Sequence, residues 1–197
     1  MKKILLSIYH TFSEFEITVA TAMLKSNYEI ITVSDSLETV TSESGLQFMP
    51  HLMYQQVDPS DYEGIIIPGG DLINVKDTQE LFNLTKRLHE QNKLTSAICS
   101  GTYVLARAGV LTGTPYTVTL DQNQRSFLGC FEEEFFRYEP VVKKGTIITA
   151  QGHAYVDFAL AIADHLGALK NPQFVSEFYK GQRNWLMEAS ERVKRGE

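Results

Sequence analysis

Cysteine is scarce in this chain: Cys99 and Cys130 are the only two in 197 residues. They are too few for a disulfide scaffold and lack the paired spacing of a zinc ribbon or a redox dithiol, so a reducing, cytoplasmic setting is expected. Long hydrophobic runs are missing as well, since nothing approaches the roughly 20 apolar residues of a membrane span. Met1 to Tyr9 pairs two lysines with an apolar run, but the run is short and Glu14 and Glu16 follow soon after, so it reads as a first strand and not as a signal peptide. Positive charge is in deficit: 18 Lys and Arg against 24 Asp and Glu leave a formal net charge of -6, which argues against nucleic acid and anionic membranes and leaves a small-molecule substrate as the expected partner. The five histidines, His10, His51, His89, His153 and His165, show no ligand spacing with one another or with the cysteines, so no metal is expected. Neither GxGxxG nor a P-loop occurs, which argues against a nucleotide-binding module, and no cofactor is expected. There is no internal repeat, low-complexity segment or linker.

What remains is a composition of 43% hydrophobic and 21% charged residues, enough for one substantial core. The expectation is a single domain over 1–197, with 171–197 a helical C-terminal extension. Lys3 to Tyr9 reads as a central parallel strand, followed by a helix capped by Ser13 with Ile17, Ala20, Met23 and Leu24 at helical spacing. Tyr28 to Val33 and Gly64 to Ile67 read as further strands, while Thr39 to Thr41 and Leu46 to Met49 are expected to pair at a sheet margin. Asp77 is expected to cap a helix through Leu81, Leu84, Leu88 and Gln91. Beyond it come a strand from Tyr116 to Leu120, a polar helix opened by Asp121 or Gln122 and stopped near Gly129, and two neighbouring strands, Tyr138 to Val142 and Thr146 to Ala150. A helix starting at Gly152-His153-Ala154 carries Val156, Ala159, Leu160, Ala163 and Leu166 on one stripe, with Gly167 as its stop. In the tail, Phe174, Phe178, Trp185 and Leu186 predict a packed helix or a dimer surface, and the charged end is expected to be solvated. Alternating strands and helices of this kind predict an α/β layered fold.

Chemistry concentrates at Leu94 to Ala106, where a short apolar strand breaks into a helix at Cys99. Ala97 and Gly101 flank the cysteine at two residues on either side, the small-x-nucleophile-x-small pattern of a sharp strand-to-helix elbow. Such a turn holds a side chain in a cleft, and the helix that follows is expected to favour the thiolate. An isolated cysteine is more often core filler, but a filler needs no elbow. Pro68-Gly69-Gly70 ends the preceding strand and is either a plain turn or a close backbone approach to a ligand.

Together, Ala97-Ile98-Cys99-Ser100-Gly101, Ile66-Ile67-Pro68-Gly69-Gly70 and Glu14-Phe15-Glu16 resemble the ThiJ/PfpI superfamily. The resemblance runs from Lys3 to about Leu166 and includes Thr149-Ala150-Gln151-Gly152 and Asp157-Phe158-Ala159-Leu160-Ala161. It implies a flavodoxin-like three-layer sandwich with a mostly parallel central sheet, related to class I glutamine amidotransferases, and usually a homodimer. It further implies Cys99 as nucleophile, Glu16 in preference to Glu14 as the protonated glutamate that touches it, and the amides of Gly69, Gly70 and Ser100 as oxyanion donors. Many members carry a histidine where this chain reads Thr117-Val118-Thr119-Leu120-Asp121. His153 is the candidate substitute acid or base, with Asp121 behind it, although a lone histidine also serves as a capping or packing residue.

The function these readings imply is attack by Cys99 on a small carbonyl or amide compound, in the manner of a glyoxalase, deglycase or amidase-like hydrolase. The alternative is a redox-sensing stress-response protein whose Cys99 is oxidised without turnover.

Overall fold

The computed structural model describes residues 1–196. Its elements are β1 (Lys2–Ser7), α1 (Phe15–Leu24), β2 (Tyr28–Ser34), β3 (Val40–Thr41), β4 (Gln47–Phe48), β5 (Leu52–Met53), β6 (Gly64–Ile67), α2 (Gln79–Glu90), β7 (Leu94–Ile98), α3 (Thr102–Arg107), α4 (Gln122–Leu128), β8 (Val141–Lys144), β9 (Ile147–Ala150), α5 (Tyr155–His165), α6 (Pro172–Tyr179) and α7 (Gln182–Arg195). Seven strands form one sheet in the order β5-β2-β1-β6-β7-β9-β8, parallel throughout except for the antiparallel β8–β9 pair. Strands β6, β7 and β9 are buried at every position, as a sheet covered on both faces requires. Helix α1 packs on α5, and α2 on α3, giving the three-layer α/β sandwich expected from the alternation. The chain winds one way from β1 to β2 and the other way from β1 to β6, so a crevice opens at the carboxyl ends of β1 and β6, where such sheets bind ligands.

Several local expectations are corrected. Tyr116 to Leu120 is not a strand, because β8 turns back and occupies the free edge of β9. The segment keeps one parallel bridge, Tyr116 to Phe136, and its backbone is satisfied by side chains: Thr149 Oγ1 accepts from Thr117 N at 2.9 Å, and Arg125 donates to the Leu120 carbonyl at 2.6 Å. Ser13 does not cap α1; its hydroxyl donates to Glu43 across to the β3–β4 loop, and Glu14 takes the N-cap position with helical backbone angles. Thr78, not Asp77, precedes α2. Strands β3 and β4 pair with each other as a separate ribbon, and the sheet margin on that side is β5. Strand β8 runs on through Lys143 and Lys144, so the turn lies at Gly145-Thr146. The buried stripe of α5 is Phe158, Ala159, Ile162 and Ala163, rotated from the expected one because Val156, Leu160 and Leu166 are only half-buried. Asp121 caps α4 by accepting from Gln124 N, and Gly129 ends it with a left-handed residue, as read. In the tail, α6 and α7 bury no residue; Phe178 and Trp185 are exposed, so neither packs into the core.

The elbow depends on close packing behind it. A Cβ added at Gly101 would lie 2.2 Å from the Pro68 carbonyl oxygen, so the start of α3 presses directly on the end of β6. The Gly101→Ala variant is expected to lose about 1–3 kcal/mol of stability by overpacking against rigid backbone, measurable as a lower urea midpoint at unchanged slope.

Candidate active site

Cys99 stands at the end of β7 with φ 57°, in the left-handed region that a non-glycine residue occupies at a cost of about 1–2 kcal/mol. A short 3₁₀ turn, Cys99–Gly101, carries the chain from β7 into α3. This is the backbone of a nucleophile elbow, and it turns the sulfur away from the sheet core into a cavity of about 450 Å³. Thr11, Ser13, Glu43, Gly70, Asp71 and Ser100 line that cavity with Cys99.

Glu16 opens the buried stripe of α1 that continues through Ala20 and Leu24, and only 2% of its surface is exposed. Its Oε2 accepts from the Gly69 amide at 2.7 Å, and its carboxyl is hydrogen-bonded to Cys99. Glycines make this closeness possible: a Cβ on Gly69 would lie 2.6 Å from Cys99 Cβ, and one on Gly152 would lie 3.1 Å from its Sγ. Glu14, two residues earlier, faces the β3–β4 loop. Burial works to raise its pKa, but hydrogen bonds from Ser44, its own amide and Ser42 outweigh it and hold the carboxyl below its usual range.

The electrostatics reverse one expectation. Burial, then the charge of Glu16, pushes the Cys99 thiol up to about 11, against opposing hydrogen bonds from the Ser100 amide and the Thr119 hydroxyl. Among the described residues no Lys, Arg or His lines the cavity to oppose this rise. Glu16 is itself raised to about 7 by burial, partly countered by the Gly69 amide and by Cys99. Both groups are thus held above their ordinary ranges, and their contact leaves one proton shared by a pair that titrates as a unit. Cys130 lies outside this constellation; burial raises its thiol to about 11 as well.

The Ser100 amide points at Cys99, whereas the Gly70 amide donates to Ser100 Oγ at 3.0 Å and the Gly69 amide is engaged by Glu16. His153 lies in the 3₁₀ turn Gly152–Ala154, is exposed, and has no hydrogen bond or charge interaction with Cys99. Asp121 is spent on capping α4. Sequence reasoning passed over Thr119, which reaches Cys99 from the segment searched for a histidine. Its neighbour in space, Gln151, belongs to the Thr149-Ala150-Gln151-Gly152 stretch of the family resemblance and carries no sequence signal of its own.

Among the described residues there is no group of three metal-ligating side chains, and no helix is long and apolar enough to cross a membrane. The chain matches the DJ-1/PfpI family over residues 2–165, a span that contains α1, the elbow and α5. The chain belongs to the DJ-1/PfpI family. It is 25% identical over 189 residues to a Bacillus subtilis protein called an uncharacterized protease, YoaZ, covering 91% of this chain and 90% of that one. A Thermococcus kodakarensis protein called deglycase TK1284 is 27% identical over 120 residues, 60% of this chain and 72% of its own. Among solved structures, the DJ-1 superfamily protein Atu0886 of Agrobacterium tumefaciens superposes with a TM-score of 0.80 at 27% identity, covering 96% of this chain and all of that one (100%).

Within this DJ-1/PfpI chain the raised Glu16 carries a stability signature. Its ordinary pKa of 4.5 is raised to about 7 on folding, so its stabilising contribution is complete in acid and is lost as pH rises through 7. The free energy of unfolding is expected to fall by about 2 kcal/mol more between pH 5 and 8 in the wild type than in Glu16→Gln. Gln keeps an acceptor for the Gly69 amide but has no proton to lose. Urea unfolding at the two pH values measures the difference.

Proposed function

We propose that this protein is a cysteine-dependent enzyme that attacks the electrophilic carbon of a small carbonyl or amide compound with Cys99. The observation that carries this reading is the contact of a buried carboxyl, raised to about 7, with a thiol held in left-handed backbone at a cavity floor. A base with a pKa near 7 is matched to neutral-pH proton transfer. Glu16 takes the thiol proton as Sγ bonds to the carbonyl carbon, and the carbonyl π pair moves to oxygen. The Ser100 amide, and the Gly70 amide once it releases Ser100 Oγ, then hold the oxyanion, and the proton on Glu16 returns to give a neutral hemithioacetal. With a 2-oxoaldehyde the C1 proton then leaves to Glu16 and returns at C2, giving a 2-hydroxy thioester that water hydrolyses to a 2-hydroxy acid and free thiol. With an amide substrate the tetrahedral adduct expels an amine and leaves a thioester for water to hydrolyse. His153 exchanges protons only with bound substrate in this scheme, and unchanged turnover by His153→Ala would remove it. The names deglycase and protease borne by relatives fit attack at such a carbon.

Charge narrows the substrate class. Glu43 and Asp71 line the cavity and neither forms an ion pair among the described residues, while no cation faces them. A neutral or cationic compound is favoured over an anionic one. Purified protein is expected to consume methylglyoxal or glycinamide with kcat/KM at least about tenfold above that for anionic succinamate, and the gap should narrow in salt and in Glu43→Gln. Cys99→Ala should abolish turnover and Cys130→Ala should not. Stoichiometric oxidation of Cys99 by peroxide with no turnover of any of the three would replace the enzyme by the redox-sensor reading.

The same reading includes a homodimer, supported by family membership and by the exposed Phe178, Trp185 and Met187 of the two C-terminal helices. Light scattering at micromolar concentration is expected to give twice the chain mass, and a monomer mass would withdraw it.

A further inference from the structure

Among the described residues no histidine lines the cavity, which leaves the polar groups behind the sulfur to steady a thiolate. Thr119 projects from the segment that failed to become a strand. A threonine hydroxyl has one proton to donate and two lone pairs to accept with. One lone pair of Thr119 Oγ1 is taken by the Gly152 amide at 2.8 Å, which fixes the oxygen in place. Its single proton faces two acceptors, Gln151 Oε1 at 3.1 Å and Cys99 Sγ.

Gln151 has no freedom to turn away. It is buried, and its Nε2 donates to Thr117 Oγ1 at 2.6 Å and to the Val118 carbonyl at 3.0 Å. Thr117 in turn is fixed by its amide, which donates to Thr149 Oγ1 at 2.9 Å. With both amide hydrogens committed, the Gln151 oxygen must face Thr119. The hydroxyl thus chooses between a neutral amide oxygen and a sulfur whose charge changes during reaction. A neutral thiol is a poor acceptor and loses to the amide oxygen, whereas a thiolate wins, because a hydrogen bond to an ionised acceptor is roughly twice as strong.

We infer that Thr119 is a positioning residue for Cys99: its hydroxyl rests on Gln151 and rotates to Sγ when the thiol proton leaves for Glu16. No proton is transferred by Thr119; one O–H···O bond breaks and one O–H···S bond forms. The inference rests on the reading of Cys99 as a nucleophile. The other titratable groups facing the sulfur are Glu16 from α1, Tyr9 after β1, Asp71 after β6 and Glu43 from the β3–β4 loop. All are acidic in type, and Tyr9 is held well above its ordinary pKa by burial and neighbouring negative charge, so none supplies a cation.

The test is the pH profile of Cys99 alkylation by iodoacetamide, followed by peptide mass spectrometry, in wild type, Thr119→Val and Thr119→Ser. Cys130 in the same sample is the internal standard. Thr119→Val is expected to slow alkylation at pH 8 about tenfold and to move the profile to higher pH, with Ser restoring the rate to within about threefold. Gln151→Met removes the resting acceptor and is expected to act in the opposite direction, raising reactivity about twofold to threefold. A purely structural role for the pair would lower reactivity in both. An unchanged profile in Thr119→Val, with Cys99 still more reactive than Cys130, overturns the role of Thr119 alone. A wild-type Cys99 no more reactive than Cys130 overturns the nucleophile reading and this inference with it.

Discussion

The contact between the Glu16 carboxyl and the Cys99 sulfur is the constraint around which the molecule is arranged. Two acidic groups are buried against each other with no cation to separate them, and burial lifts the pKa of both. Such a pair is tolerable only while it carries one negative charge, so the site retains a proton that either partner can hold. Packing enforces the pairing. Glu16 is carried on the stripe that seats α1 on the sheet, Cys99 is fixed by the elbow, and glycines at 69 and 152 leave no side chain between them.

Around this pair lies a shell of directed hydrogen bonds. Tyr9 donates to the Pro68 carbonyl at 2.9 Å, and Ser100 Oγ both accepts from the Gly70 amide and donates to its carbonyl at 2.8 Å. These bonds lock the ends of β1 and β6 against the elbow. On the far side Arg125, buried and paired with Glu133, stacks 3.8 Å above the Phe136 ring and holds the Leu120 carbonyl. That clamp keeps the 116–120 segment extended without a neighbouring strand, and so presents Thr119 to the sulfur. Ser13 and Ser44 tie the start of α1 to the β3–β4 loop through Glu43 and Glu14, which sets one wall of the cavity.

The cavity therefore differs from a cysteine–histidine pair in its charge logic. A histidine would offer a cation to the sulfur; here the sulfur meets dipoles, the Ser100 amide and the Thr119 hydroxyl, and the Glu16 carboxyl. Its walls carry Glu43 and Asp71, whereas the thiol itself is raised by burial and then by Glu16 from behind the cavity.

Much of this was legible in the residues themselves. Apolar runs of strand length, the helical spacing on α1 and the small residues at 97 and 101 specify a parallel sheet with Cys99 at an elbow, because backbone sterics and burial act locally along the chain. The choice of Glu16 over Glu14 rests on the family resemblance; the fold buries Glu16 on the α1 stripe with Ala20 and Leu24. The segment from Tyr116 to Leu120 has strand-like residues, yet whether it pairs depends on which strand reaches the β9 edge first, and β8 does. The thiol's pKa turns on the same kind of reason: a helix start predicts a lowered value, whereas burial and a carboxyl from a distant part of the chain raise it. The sequence by itself determined the elements and the place of Cys99 among them, through local spacing. Tertiary structure alone decided the protonation of the pair and the approach of Thr119 and Gln151, because desolvation and hydrogen bonding depend on groups that only folding brings together.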